Sequence, residues 1–246
     1  MSWFSSSSKK KKRDHRQPER KVIALDNPKS PIAEAYRTLR TSIRFATAIQ
    51  EQAKVFLFTS AGPREGKSTV TANVAVTFAQ NGTKTLLIDC DLRKPVQHKI
   101  FHVSNSVGLT NVLVDKCPEV DAINLTSIPQ LDVMTSGPIP PNPSELLSSP
   151  RMQDLLDDLR QRYDLILIDT PPAVAVTDPV VLASHVDGIF LVIRAKQATI
   201  EMAKLATTRL QQSQGRIIGA ILNGMEIHGE DYYYYYYYGG SQNQSE

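Results

Sequence analysis

Residues 60–69 have the types and spacing of a phosphate-binding loop. The apolar run "VFLFTS" leads into "AGPREGKST", and a helical pattern follows. In such a context, amides at a helix start point at phosphate oxygens, a lysine reaches the β/γ-phosphates and a hydroxyl ligates Mg²⁺. Lys67 is the lysine of this stretch, and Ser68 supplies the hydroxyl. We predict that this phosphate loop consists of Ser60, Ala61, Gly62, Pro63, Arg64, Glu65, Gly66, Lys67, Ser68 and Thr69.

The loop departs from the common pattern G-x-x-x-x-G-K-[ST] at its first position. The pattern would place glycine at position 61, where the chain has Ala61 and carries its glycine at Gly62. A strand before the loop and a helix after it still favour a binding loop over a purely structural one.

Three aspartates stand at the ends of strand-like runs. Asp89 and Asp91 lie in "LLIDCDLR", and Asp169 lies in "LILIDTPP". A single strand-end aspartate is more often structural or a cap, but ligands of open α/β sheets bind at these carboxyl ends. Three such residues beside a phosphate loop therefore favour Mg²⁺ binding and catalysis. The predicted metal ligands are Ser68, Asp89 and Asp169, and the predicted catalytic residues are Lys67, Asp89, Asp91 and Asp169.

The elements that position these residues alternate along the chain from residue 54. Apolar runs rich in Leu, Ile and Val predict parallel strands buried on both faces. Helical patterns near residues 67–80, 150–161 and 199–213 separate some of them. The sequence therefore predicts an α/β fold with a central, mostly parallel sheet and helices on both faces. The predicted strands lie in "VFLFTS", "KTLLIDCD", "LDVMTSG", "YDLILIDTPP", "GIFLVIRA" and "RIIGAILNG".

Another helix is predicted upstream, in "SPIAEAYRTLRTSIRFATAI". Ser30 suits the N-cap and Pro31 the first helical position. At about 100° per residue, one face of this helix is apolar and another is charged. The apolar face has Ile32, Tyr36, Leu39 and Ile43; the charged face has Glu34, Arg37, Arg40 and Arg44. Taken alone, a charged stripe is more often solvated than an interface.

Composition limits the functional classes. The 246 residues, 41% of them hydrophobic, suit one globular domain, and a net charge of +3 gives no indication of a nucleic-acid partner. No apolar run approaches a membrane span and no signal peptide is evident, so we expect a cytoplasmic protein. Cys90 and Cys117 fit no metal spacing and no disulfide framework.

The two ends differ from the rest of the chain. We predict a flexible basic segment at residues 1–21, a domain at residues 22–224 and a flexible tail at residues 225–246. The basic segment "KKKKRDHRQPERK" is either a solvated tail or a contact to an anionic membrane surface. The tail contains seven consecutive tyrosines, which no compact core requires.

Together these motifs resemble those of the bacterial tyrosine kinases (BY-kinases). "SAGPREGKS" is similar to their S-x-x-P-x-E-G-K-S loop, "LLIDCDLR" to their Walker A′ motif and "LILIDTPP" to their Walker B motif. Their E-x-x-R-x-x-R motif matches Glu34, Arg37 and Arg40, and "SGPIPPNPSELL" and the tyrosine run match further segments. The resemblance covers about residues 22–238. Arg64 replaces the usual glycine, which is expected to affect the loop because arginine is less free at positive φ.

The resemblance implies a P-loop NTPase-like fold and an ATP- and Mg²⁺-dependent protein-tyrosine kinase that controls capsular or exopolysaccharide synthesis. It implies a homo-oligomeric ring joined through Glu34, Arg37 and Arg40, and in such a ring we predict phosphorylation mainly in trans. A separate transmembrane activator would recruit the kinase to the inner face of the membrane; a tyrosine phosphatase and polysaccharide-synthesis enzymes are further expected partners. The phosphoacceptors would be Tyr232, Tyr233, Tyr234, Tyr235, Tyr236, Tyr237 and Tyr238.

Several roles within this scheme have alternatives. Free tyrosine has a pKa near 10, so the acceptor needs a base, which we assign to Asp89 with Asp91 as the alternative. Arg93 could orient the aspartates, contact phosphate or be a plain salt-bridge partner. Asn223 in "GAILNG" could recognise adenine or form a turn before glycine. Arg93 and Asn223 complete the predicted cofactor-binding set.

Two other functional classes stay open at this point. A ParA/MinD-like ATPase switch would carry the loop K-G-G-x-G-K, with lysine at position 62, where this chain has Gly62. A nucleotide-binding scaffold with little turnover would use its tyrosines only as a sticky interaction tail.

Overall fold

The computed structural model describes residues 22–47 and 54–225. The predicted basic segment at residues 1–21 and the tyrosine run at residues 232–238 lie outside the described residues. In the described part of the chain, no helix has the length and apolar character needed to cross a membrane.

The secondary structure alternates as the sequence predicts. The strands are β1 (Val55–Ser60), β2 (Thr85–Asp89), β3 (Ile123–Leu125), β4 (Leu131–Met134), β5 (Leu165–Asp169), β6 (Gly188–Arg194) and β7 (Ile217–Asn223). The helices are α1 (Ile23–Asp26), α2 (Pro31–Thr47), α3 (Lys67–Gln80), α4 (Gln97–Ile100), α5 (Leu109–Leu113), α6 (Glu119–Ala122), α7 (Pro143–Leu147), α8 (Pro150–Arg162), α9 (Asp178–Leu182) and α10 (Ile200–Gln212).

The strands form one sheet in the order β3-β4-β2-β5-β1-β6-β7. All neighbours are parallel except β3 and β4, which run antiparallel. Asp89 at the end of β2 is in register with Asp169 at the end of β5. The α/β fold and its six parallel strands are therefore confirmed, and the two motif aspartates lie side by side at the carboxyl edge.

The central strands are buried along their whole length because both faces of the sheet are covered. In β1, Leu57 packs on the face covered by α5 and α7–α10, whereas Phe56 and Phe58 pack on the face covered by α1–α4. Every residue of β1, β2 and β5 is buried. This arrangement fixes the strand ends, and with them the residues that follow each strand.

Helix α2 begins as predicted but turns a slightly different face to the domain. The Ser30 hydroxyl accepts a hydrogen bond from the Ala33 amide at 3.1 Å, which confirms the N-cap. The buried face starts at Ala33, whereas Ile32 is 49% exposed. Arg40 belongs to the inner side of the helix, because its Nη1 donates to the Thr77 carbonyl of α3 at 3.0 Å. The prediction that Arg40 belongs to a charged face apart from the apolar face was therefore wrong.

Candidate functional site

The phosphate loop joins the end of β1 to the start of α3. Gly66 directly precedes α3 in a left-handed conformation, with φ of 85°. A Cβ at this position would lie 2.2 Å from Nδ2 of Asn223. Glycine is therefore required both by the backbone conformation and by the close approach of β7.

A buried carboxylate connects the loop to the neighbouring strand. Glu65 is 2% exposed; its Oε1 accepts from the Gly62 amide at 2.5 Å and its Oε2 accepts from the Arg194 amide at 3.3 Å. Burial raises the pKa of Glu65, against the opposing effect of these two amides. The sequence placed Glu65 in the loop but did not indicate this contact, since Arg194 is distant in the chain.

Asn223 contacts the loop from the end of β7. Its Nδ2 donates to the Glu65 carbonyl at 2.8 Å, and its own carbonyl accepts from the Ala195 amide at 2.8 Å. The asparagine thus lies beside the phosphate loop, as a cofactor-binding residue would, and its amide nitrogen holds the loop backbone in this structure.

Arg64 occupies the exposed tip of the loop. Its φ is 66°, so the arginine adopts the left-handed conformation that a glycine would adopt freely. The effect that we expect of this arginine on the loop is therefore local backbone strain at the tip. Gln197 supports the same tip, because its Nε2 donates to the Pro63 carbonyl at 2.8 Å.

Lys67, Ser68 and Asp169 converge at the start of α3. The Lys67 ammonium donates to Ser68 Oγ at 3.0 Å and forms a short ion pair with Asp169 Oδ1. All three side chains are buried. A hydroxyl and a carboxylate oxygen therefore face one positive charge, which is the donor set that Mg²⁺ prefers.

Asp89 is held rigidly by backbone amides. Its Oδ2 accepts from the amides of Val96 and Gln97, each at 2.9 Å, and its Oδ1 accepts from the Asp91 amide at 3.2 Å. Complete burial and the charge of Asp169 raise the pKa of Asp89 to about 7, although the two Oδ2 bonds and Lys67 act in the opposite direction. Asp89 is therefore a stronger base than an exposed aspartate.

Asp91 lies at the mouth of the same cluster. It is 8% exposed, and its Oδ1 accepts from the Lys94 amide at 3.0 Å. Burial raises the pKa of Asp91 as well, and Lys67 partly offsets that increase. The structure thus brings together all four predicted catalytic residues, Lys67, Asp89, Asp91 and Asp169.

The described residues hold no group of three or more His, Cys, Asp or Glu side chains that could bind a metal by itself. A nucleotide-bound Mg²⁺ typically takes one or two protein ligands and completes its octahedron with phosphate oxygens and water. Ser68 and Asp169 fit that role beside Lys67. Asp89 fits it less directly, because three backbone amides hold its oxygens, whereas the donors to Asp169 are the side chains of Lys67 and Gln97.

Arg93 is engaged in an ion pair beside the site. Its Nε and Nη2 donate to the two carboxylate oxygens of Asp178 at 2.8 and 2.9 Å, and Nη2 also donates to Ser144 Oγ at 3.2 Å. Asp178 is fully buried. Of the alternatives for Arg93, the salt-bridge partner is the one observed. Asp178 was not singled out from the sequence, where "TDPVV" indicates only a helix start.

A second residue that sequence reasoning missed is Gln97, the first residue of α4. It is fully buried and contacts Asp169, Ser68 and Asp89. Nothing in "KPVQHKI" indicates a functional glutamine, because only the fold brings this position to the strand ends.

The predicted assembly residues lie apart from the phosphate loop, on α2. Arg37 Nε donates to Glu34 Oε2 at 2.7 Å, and Arg37 Nη2 donates to the Pro28 carbonyl at 2.8 Å. Both side chains remain partly exposed, at 46% for Glu34 and 33% for Arg37. They are available to a second chain, whereas Arg40 already contacts Thr77.

Comparison with known proteins identifies relatives of this arrangement. A family model described as an AAA domain matches residues 62–217. "Tyrosine-protein kinase YwqD" of Bacillus subtilis is 47% identical over 209 residues, covering 85% of this chain and 88% of the relative. "Putative tyrosine-protein kinase CapB" of Staphylococcus aureus is 44% identical over 202 residues, covering 82% and 88%.

Solved structures of a tyrosine-kinase domain and of a more distant ATPase resemble this chain. The kinase domain of the Escherichia coli tyrosine kinase ETK superposes with a TM-score of 0.80 at 37% identity, covering 89% of each chain. The septum site-determining protein MinD of Pyrococcus horikoshii superposes with a TM-score of 0.59 at 22% identity, covering 69% of this chain and 70% of the other. The likeness to MinD extends to the fold alone.

Proposed function

This chain belongs to the bacterial tyrosine-protein kinases, and from that premise we propose that it transfers a phosphoryl group from ATP to the tyrosines of its own tail. The observation that carries the proposal is the convergence of Lys67, Ser68 and Asp169 at the start of α3. Phosphoryl transfer depends mainly on positioning and on neutralising charge, and this cluster supplies both beside a row of backbone amides.

Each residue of the cluster has a distinct task. Lys67 stabilises negative charge on the β- and γ-phosphate oxygens, and the amides of the phosphate loop hold those oxygens in place. Ser68 and Asp169 would hold Mg²⁺, which when bound neutralises charge that develops on the phosphates. Gly66 allows the loop backbone to approach closely, and Glu65 keeps the loop attached to β6.

We assign removal of the acceptor proton to Asp89. Its raised pKa, about 7, suits a base that works near neutral pH, and its backbone contacts fix the carboxylate. Asp91 is the alternative because it is closer to solvent. Asp89→Asn and Asp91→Asn distinguish them under single-turnover conditions with bound ATP. Loss of the rate in the first variant and its retention in the second are expected; the reverse would assign the base to Asp91.

Phosphorylation occurs mainly in trans, by a neighbouring subunit. Tyr232 lies nine residues after Asn223 and Tyr238 fifteen, which allows spans of at most roughly 30 and 50 Å. Reach alone therefore permits either route. A ring formed through Glu34, Arg37 and Arg40 places a neighbour's site within range at high effective concentration, which favours transfer between chains.

A mixing experiment tests the trans route. Full-length Lys67→Met carries acceptors without activity, and a chain truncated after Asp231 carries activity without acceptors. We expect phosphate on the Lys67→Met chain, and we expect its loss when Glu34, Arg37 and Arg40 are all changed to alanine. No transfer in the mixture, with normal self-labelling of the intact wild type, would show a reaction in cis.

Phosphorylation should also dissolve the ring. Seven phosphotyrosines add roughly −10 to −14 charges to each chain, whereas the formal net charge of the chain is +3. Neighbouring tails then repel one another. Light scattering on phosphorylated and dephosphorylated samples measures this, and equal masses would contradict it.

The cellular role that fits these properties is control of capsular or exopolysaccharide synthesis. We propose that a separate transmembrane activator recruits the kinase to the inner face of the membrane, that a tyrosine phosphatase reverses the reaction, and that polysaccharide-synthesis enzymes are further substrates. These proposals rest on the motifs shared with the family.

Incubation with labelled ATP tests the function as a whole. Label on the tail, abolished by Lys67→Met in a folded protein, is the expected result. Release of free phosphate without labelled protein would instead support an ATPase switch, and neither product would support a nucleotide-binding scaffold. The absence of lysine at position 62 already argues against the switch.

A further inference from the structure

Gln97 contacts three parts of the active site at once. Its Nε2 donates to Asp169 Oδ2 at 2.7 Å and to the Ser68 carbonyl at 3.2 Å. Its backbone amide donates to Asp89 Oδ2 at 2.9 Å. The side chain is fully buried, so one residue of α4 links the ends of β2 and β5 to the start of α3.

The other end of the same amide has no partner. Gln97 Oε1 is buried and accepts no hydrogen bond from any residue that the structure describes. Rotating the amide would not help, because Oε1 would then face the Asp169 carboxylate, and two acceptors would repel each other. Covalent geometry places Oε1 about 2.3 Å from Nε2, and therefore within about 5 Å of Asp169 Oδ2.

A buried acceptor without a donor calls for a ligand that donates. Mg²⁺ keeps several of its water molecules when it binds a nucleotide, and each such water is a strong hydrogen-bond donor. The other oxygen of Asp169 contacts the Lys67 ammonium, so the Asp169 carboxylate lies between Gln97 and the positive charge of the site.

We propose that Gln97 is a positioning residue for the magnesium ion of the kinase reaction. Its Nε2 fixes the orientation of Asp169, and its Oε1 accepts a hydrogen bond from a water in the coordination shell of the ion. This inference rests on the proposed function. The hydrogen bond to Oε1 forms only when Mg²⁺ accompanies the nucleotide, so Gln97 favours binding of the magnesium-bound nucleotide over the metal-free nucleotide.

The test measures how strongly Mg²⁺ improves nucleotide binding to the full-length chain. The dissociation constant of a fluorescent ADP is determined in EDTA and in Mg²⁺, and their ratio is compared between variants. Gln97→Met keeps the side-chain volume but removes both the donor and the acceptor. We expect this ratio to fall about tenfold, the lower end of the effect of removing a residue that orients a metal ligand.

A second variant keeps the amide but shortens the side chain. Gln97→Asn retains a donor and an acceptor, but the loss of one methylene withdraws both from Asp169 and from the ion, so the ratio should fall as in Gln97→Met. Gln80→Met is the matched control, because Gln80 Nε2 donates to the Ala24 carbonyl away from the site. Its ratio should equal that of the wild type.

The outcomes separate this inference from the proposed function. An unchanged ratio in folded Gln97→Met or folded Gln97→Asn overturns the role of Gln97. If Gln97→Met does not fold, the ratio measured in Gln97→Asn decides. A wild type that labels its tail and binds ADP more tightly with Mg²⁺ keeps the proposed function intact whichever result the variants give.

Discussion

Replacing Glu65 by alanine is expected to loosen the phosphate loop and weaken nucleotide binding. The carboxylate accepts hydrogen bonds from the Gly62 and Arg194 amides, and its removal leaves both donors without a partner. An unsatisfied buried donor costs about 1–3 kcal/mol. The hydrogen bond from the Arg194 amide, at 3.3 Å, is long and contributes less than the bond from Gly62. Alanine also removes the cost of burying the Glu65 carboxylate. We therefore expect the free energy of unfolding to fall by about 2–4 kcal/mol.

Glu65→Gln provides the graded comparison. The glutamine can still accept from the Gly62 amide, but its NH₂ then faces the Arg194 amide, so only the longer bond is lost. We expect a decrease of about 1 kcal/mol. Asp154→Asn, on the exposed face of α8, is the control for a change from carboxylate to amide outside the site.

Two quantities are measured for each variant. Urea unfolding followed by circular dichroism gives the free energy of unfolding, and titration with a fluorescent nucleotide gives the dissociation constant. If half of the lost energy reaches the bound loop, the dissociation constant should rise roughly 5- to 30-fold in Glu65→Ala. Stability and affinity indistinguishable from Asp154→Asn would refute the role given to Glu65. A loss of stability without any change in affinity would confine that role to the fold.

Three further changes test other features. Arg64→Gly should raise the free energy of unfolding by about 0.5–1 kcal/mol in urea, because φ of 66° no longer strains the backbone; a decrease would contradict the strain. Gly108→Ala should destabilise by at least about 3 kcal/mol, since its Cβ would lie 2.2 Å from the Gly137 amide nitrogen; wild-type stability would contradict this. Burial tends to raise the pKa of Asp187, but Arg160 and backbone amides outweigh it and lower that pKa. Ionised Asp187 therefore stabilises the fold above its ordinary pKa, and this stabilisation is lost as the pH falls. Asp187→Asn should lower the free energy of unfolding by about 2 kcal/mol at pH 7 and by progressively less below about pH 4, as measured by unfolding at a series of pH values. A difference from the wild type that stays constant with pH would contradict this role.

The parts of the molecule that follow from local pattern were accessible from the sequence. Continuous apolar runs indicated strands covered on both faces, and the rule that ligands lie at the carboxyl ends brought Asp89 and Asp169 to one place. Strand β3 was missed because three residues, one of them the 81% exposed Leu125, carry no such pattern.

The contacts that depend on folding were not accessible. Gln97 reaches Asp169 across 72 residues of chain, and no periodicity connects the two. Arg40 was assigned to the charged face because the predicted apolar face of α2 was centred on Ile32. The buried face observed begins one residue later, at Ala33, and this rotation brings Arg40 to the inner side of the helix. Both failures have one physical cause: the position of a neighbouring element, which spacing within a segment does not encode.

The order of the sheet also has a consequence for synthesis on the ribosome. Strand β1 pairs only with β5 and β6, so it has no partner until residues 165–169 have emerged and lacks its second partner until residue 194. The Asn223 side chain then reaches the Glu65 carbonyl from 158 residues away. Closing such long loops is entropically costly and slow, and partly made chains expose unpaired apolar strands. A nascent chain therefore cannot assemble a nucleotide site before the domain is almost complete, and premature release would yield an aggregation-prone fragment that binds no ATP.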